Sequence, residues 1–141
     1  MSVAAPSLSA LEVVELLDKF APHATLAVSD LERAKAWYRD KLGFVPKQED
    51  VGGAYYESGG TMFAIFPTPY AGTAKNTALE WSVDDISAVV ADLKGRGVTF
   101  DRYDMPEVTW EGDIADMNGY KGAWFKDSEG NILAITQGAA P

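Results

Sequence analysis

One histidine and no cysteine set the chemical limits of this 141-residue chain. A Ser-His-Asp arrangement would have to be built around His23, and a multi-histidine metal site within one chain is impossible. The absence of Cys excludes disulfides, thiolate metal ligands and a cysteine nucleophile. Aromatic and carboxylate chemistry remains. The stretch from Asp104 to Gly119 places Trp110 and Met117, with Tyr120 just beyond, among Asp104, Glu107, Glu111, Asp113 and Asp116. Aromatic faces with acidic edges suit a flat, cationic or polar aromatic guest held by stacking and cation–π contacts. In a polar loop, Trp110 reads as a lid or a subunit contact, while the acids also serve solubility. Twelve Lys plus Arg against 21 Asp plus Glu give a net charge of −9. That balance repels phosphate backbones and anionic headgroups, so nucleic acid and membrane surfaces are excluded as partners. No apolar run approaches the ~18 residues that cross a bilayer. Residues Met1 to Ala10 lack the charge and apolar run of a secretory signal, which makes the cytoplasm the expected compartment.

These side chains need elements to position them. Ser9 and Glu12 have the spacing of a capping box, and Leu11, Val14, Leu16, Leu17 and Phe20 form an apolar stripe, predicting a helix that ends near Pro22. Its stripe has no partner in the core pattern, so it is expected to pack outside a sheet or on a second chain. Ala24 to Val28 reads as a strand, Ser29 and Asp30 as a cap, and Leu31 to Leu42 as a helix stopped by Gly43. Phe44 to Glu49, Gly53 to Glu57 and Thr61 to Pro67 read as three strands, the last two a hairpin around Ser58, Gly59 and Gly60. After a Pro- and Gly-containing linker the pattern restarts: strand Leu79 to Val83, cap Asp85, helix Ile86 to Lys94, strand Val98 to Tyr103, then the long loop. A hairpin of Gly122 to Lys126 and Asn131 to Gln137 turns at Asp127 to Gly130. Within the long loop a short strand is expected near Val108 to Trp110. Val28, Asp30 and Leu31 lie on Val83, Asp85 and Ile86 at an offset of 55, so one supersecondary unit is used twice. The expected fold is α+β: two βαβββ units, each sheet covered by a helix on one face, the open faces lining a concave cavity suited to small ligands. Trp37, Tyr38 and Trp81 read as core. Asp30 and Asp85 read as caps, and Asp127 as a turn former.

The stretches Thr25 to Phe44 (TLAVSDLERAKAWYRDKLGF) and Gly122 to Ala134 (GAWFKDSEGNILA) resemble the two signature segments of the glyoxalase / bleomycin resistance / extradiol dioxygenase superfamily, also called vicinal oxygen chelate. The resemblance spans about residues 22–138. It implies an N-terminal extension over 1–21 and a domain over 22–138, built of modules 22–67 and 78–138 that form a concave mixed sheet. It also implies four metal positions in the family's metalloenzymes, at the start of the first strand and within the last strand of each module. Here they fall on His23, Ala64, Ala78 and Ala134. A methyl group donates nothing and a divalent ion needs about three protein donors, so no metal and no cofactor are expected. The one obvious displaced donor is Glu80, two residues after Ala78 and on the same strand face.

Taking those four positions as inward-facing, the alternation also turns Thr25, Ala27, Met62, Phe66, Glu80, Ser82, Ile132 and Thr136 into the cavity. If Lys126 pairs with Ile132, Trp124 faces Ala134. One of Tyr55 and Tyr56 points in, Tyr55 being carried as the ligand-binding candidate, and Trp110 joins from the loop. The resemblance and the missing donors together imply a metal-independent protein that binds and sequesters an aromatic or cationic small molecule, as in the bleomycin-resistance branch. A metal-free isomerase, cyclase or lyase with His23 or Glu80 as general base is the alternative, since a carboxylate in an apolar cavity has a raised pKa. A glyoxalase- or dioxygenase-type metalloenzyme with relocated ligands comes third. The fold also implies a twofold homodimer in which each cavity draws strands from both chains.

Overall fold

Apolar and polar residues alternate in Ala24–Val28 and make strand β1, with Leu26 and Val28 buried and Thr25 exposed. The structure, a computed structural model, describes residues 16–138. The expected capping box at Ser9 and Glu12, with Leu11 and Val14 of the stripe, lies outside the described residues. Of that stripe, Leu16, Leu17 and Phe20 are described and exposed.

After β1, the Asp30 carboxylate accepts the Arg33 amide at 3.0 Å and opens α1 (Leu31–Trp37). The helix expected to run evenly to Leu42 instead widens into a π-helical turn over Tyr38–Leu42. Its end is as read: Gly43 adopts φ 79°, its amide bonds to the Arg39 carbonyl, and the Phe44 amide bonds to that of Tyr38. Strands β2 (Gln48–Asp50), β3 (Gly53–Ser58) and β4 (Thr61–Pro67) complete the first module. The strand expected from Phe44 begins only at Gln48, because the Phe44 ring turns into the core against Tyr56, Phe63 and Trp81. The sheet order is β1-β4-β3-β2, with β1 parallel to β4 and the other pairs antiparallel.

The second module repeats the scheme with β5 (Thr77–Ser82) and α2 (Ile86–Gly95), capped by Asp85, whose carboxylate accepts the Ala88 amide. Then come β6 (Phe100–Asp101), β7 (Thr109–Glu111), β8 (Ile114–Met117), β9 (Tyr120–Lys126) and β10 (Ile132–Gln137). Two sequence expectations are corrected here. The strand expected over Val98 to Tyr103 keeps only Phe100–Asp101, because one edge of β9 is divided: β6 pairs with Phe125 and Trp124, and β8 with Tyr120 to Gly122. The segment read as a loop with one short strand holds the hairpin β7–β8, turned at Gly112 with φ 62°. Its strands lie at the sheet's rim and are only three and four residues long, too short for alternation to mark them in the sequence. The fold is α+β, two βαβββ modules with that hairpin inserted in the second.

One core serves both modules. Ala34 and Tyr38 of the first helical segment and Ile86, Val90 and Leu93 of α2 cover Leu26, Phe63, Ile65, Phe125, Leu133 and Ile135. Trp37 stacks on Phe125 of the other module at 6.3 Å. The β9–β10 turn clasps the first module. The Tyr38 hydroxyl donates to Asp127 at 2.7 Å, the Asn131 amide to the Ala27 carbonyl at 2.9 Å, and Glu129 accepts from Ser29, Asp30 and Arg33. Asp127 also accepts the amides of Glu129 and Asn131, the turn-forming role read from its type.

Candidate functional site

With Leu26, Val28, Phe63 and Ile65 turned to the helices, alternation puts Thr25, Ala27, Met62, Ala64 and Phe66 on the opposite face of the first sheet. Tyr56 is buried between Tyr38 and Phe63, so Tyr55 is the tyrosine on the open face, its hydroxyl 3.3 Å from Asp50. In the second sheet, Lys126 stands opposite Ile132, and Trp124 therefore opposite Ala134. Ala134 also lies beside Glu80, and Thr136 beside Ser82, their hydroxyls 3.2 Å apart. Glu80, Ala134 and Trp124 thus form one cross-strand row. Its outer residues are about 10 Å apart, two strand spacings.

β1 and β5 are edge strands of their sheets, and a groove of about 520 Å³ opens between them. His23, Met62, Glu80 and Ser82 line it, over a base of Phe63 and Trp81. His23 is exposed at the entrance of β1, its ring edge-on to Tyr55 at 6.4 Å. Glu80 is exposed too, and among the described residues neither side chain has an ion-pair or hydrogen-bond partner. The apolar burial that would poise Glu80 as a general base is therefore missing. Ala64 and Ala134 are buried at 4% and 1% exposure, whereas Ala78 is exposed at the start of β5 and does not line the groove.

The donor set for a metal fails in this geometry. Among the described residues no three His, Asp or Glu side chains stand close enough to share an ion. Within one chain, the described residues therefore do not assemble a three-donor metal site.

Trp124 gathers the aromatic side of the site. It meets Trp110 at 6.3 Å and Tyr103 at 5.9 Å, both edge-on, and closes a cavity of about 240 Å³ with Tyr103, Ile132 and the segment Lys75 to Thr77. Its indole lies over Gly122, where an added Cβ would sit 3.1 Å from the ring. Sequence reasoning missed Tyr103, whose only signal was its place at the end of an expected strand. One face of Trp110 is already taken: the Arg102 guanidinium stands 5.4 Å from that ring's centroid. The acidic rim is partly spent as well. Asp113 pairs with Lys94 and Arg102, and Asp116 accepts the Gly119 amide. The candidates therefore divide between the groove (His23, Met62, Glu80) and the Trp124 cluster, joined by the row through Ala134. Thr25, Tyr55, Ala64 and Phe66 lie on the first sheet's open face, outside both cavities.

Residues 21–135 match the description Glyoxalase/Bleomycin resistance protein/Dioxygenase superfamily. The chain belongs to that superfamily. A comparison with curated protein sequences gives no match. Similar solved structures include a glyoxalase / bleomycin resistance protein from Catenulispora acidiphila, 25% identical with a TM-score of 0.62, covering 86% of this chain and 99% of that one. A glyoxalase family protein from Enterococcus faecalis is 20% identical with a TM-score of 0.64, covering 85% and 98%. A lactoylglutathione lyase from Agrobacterium tumefaciens is 18% identical with a TM-score of 0.61, covering 84% and 93%. The last two show the fold alone. In this superfamily member no helix among the described residues is long and apolar enough to cross a membrane.

Proposed function

We propose that the chain is a metal-independent binding protein that sequesters a small aromatic cation, in the manner of a bleomycin-resistance protein. The row of Glu80, Ala134 and Trp124 carries this reading. It sets an exposed carboxylate and an indole on one sheet face about two strand spacings, ~10 Å, apart, with only the small, buried Ala134 between them. A guest would lay its ring against Trp124 and direct its positive charge to Glu80, because Arg102 already occupies Trp110. Three alanines at the superfamily's metal positions support the same reading. A twofold homodimer with shared cavities is part of the proposal, since the groove and both open sheet faces are uncovered in a single chain.

Titration of the purified protein with a panel of flat aromatic cations, followed by tryptophan fluorescence, tests it. A saturable response weakened at least about tenfold by Glu80→Gln, the usual weight of a charge-assisted contact, is expected. A flat response across the panel would sink the reading. Elemental analysis after exposure to nickel, zinc and iron should find no stoichiometric ion. The metal-free enzyme draws support from His23 and Glu80 sharing one groove, but both are exposed. Loss of turnover with retained binding in His23→Ala would favour it.

A further inference from the structure

A second concavity lies on the helix side of the second sheet, away from the groove. It measures about 250 Å³ and sits between the π-helical turn and α2, walled by Leu42, Phe44, Trp81, Val83 and Val89 over Phe125. Its one carboxylate, Asp92, is held by the Arg96 guanidinium at 3.1 Å and offers no net charge to a guest. Its one hydroxyl belongs to Ser58. That oxygen accepts the Trp81 indole N–H at 3.1 Å, and among the described residues its own proton has no acceptor. Trp81 and Ser58 line both this crevice and the groove, so the indole and its hydrogen bond form the partition between them. Trp81 is held in place by stacking on Phe44 at 6.1 Å, with the planes 20° apart.

We propose that this crevice is a separate binding site for a compact neutral ring compound carrying one acceptor oxygen, such as an aryl or alicyclic ketone. Apolar walls reward a ring and exclude a charged guest, which would have to leave water without a partner. The free Ser58 proton selects a carbonyl or ether oxygen over a plain hydrocarbon, and the volume limits the guest to about two fused rings.

The probe is 6-propionyl-2-(dimethylamino)naphthalene, a neutral naphthyl ketone whose emission moves to the blue in dry, apolar surroundings. With the full chain a saturable blue shift is expected. Val89→Trp, which fills the mouth from a half-buried helix position, should weaken binding at least about tenfold, and Leu42→Trp should do the same from the opposite wall. Ser58→Ala should weaken the ketone about fivefold more than it weakens naphthalene, whose change reports only the loss of the Trp81 indole's acceptor. Met62→Trp, in the groove, should leave ketone binding unaltered. The site is refuted if no saturable shift appears, or if Met62→Trp abolishes the shift while Val89→Trp and Leu42→Trp do not. A shift indifferent to all three variants also refutes it. None of these outcomes depends on the cation-binding reading of the groove.

Discussion

Two tyrosines whose rings stack 5.8 Å apart make opposite demands on their hydroxyls. Tyr38 donates to the buried Asp127 carboxylate at 2.7 Å, whereas Tyr56 is fully buried with its oxygen unpartnered among the described residues. Burial pushes the Tyr56 hydroxyl up to about 12. Tyr38→Phe should therefore cost about 1–3 kcal/mol, because a buried carboxylate loses a donor, while Tyr56→Phe should be neutral or stabilising. Urea denaturation of both variants checks the contrast. Gly53 is constrained by backbone instead of side chain: at φ 137°, a Cβ there would lie 2.0 Å from the Ile65 carbonyl oxygen. Gly53→Ala should lose about 3 kcal/mol or more in the same measurement. Of the site, the pairing of Trp124 with Ala134 was legible because the hairpin's turn residues fix its register. Tyr55 and Tyr56 could not be told apart, since a glycine-rich turn leaves the strand's phase open until its partner is seen. Tyr103 and the Arg102 guanidinium on Trp110 depend on how a polar segment folds back, which no apolar period announces.

Among the elements, the β9–β10 turn has the widest reach. Glu129 on this turn accepts the amides of Ser29 and Asp30 at the start of α1, together with the Ser29 hydroxyl and two nitrogens of Arg33. The Arg33 hydrogen bonds, helped by Ser128, Asp30 and Ser29, hold the Glu129 carboxyl far below its ordinary value of 4.5, against the opposing effect of burial. A carboxyl lowered by folding adds stability that is complete above its unfolded value and is lost as pH falls toward the folded one. Stability should therefore decline below about pH 4.5 more steeply in the parent protein than in Glu129→Gln, as denaturation midpoints across that range would show. Equal slopes would mean that the clasp does not titrate with folding. The turn itself was readable from Asp127 and Gly130, and the caps from Asp30 and Asp85, because their signals are local. The contact between turn and helix spans 100 residues of sequence and leaves no local mark. The π-helical turn was hidden for another reason: hydrophobic spacing at 3.6 cannot reveal one extra residue in the last turn.

At the scale of the molecule, the duplicated unit was visible because cap and apolar residue recur together at a fixed offset. The way the two copies hold each other was not. They share one aromatic and aliphatic core, the Trp81 indole donates across to Ser58, and Lys41 donates to the Arg96 carbonyl. The proposed twofold dimer predicts a solution mass near twice the 15.2 kDa of one chain, measurable by sedimentation. A monomer would require the groove to work from one chain alone. The cross-module clasp has a further consequence. The exposed stretch Ala74 to Asn76 joins halves that already hold each other through buried contacts, so the covalent thread there is largely redundant. Two polypeptides, cut after Ala74 and produced together in one cell, should co-purify as a split pair and melt as a single unit.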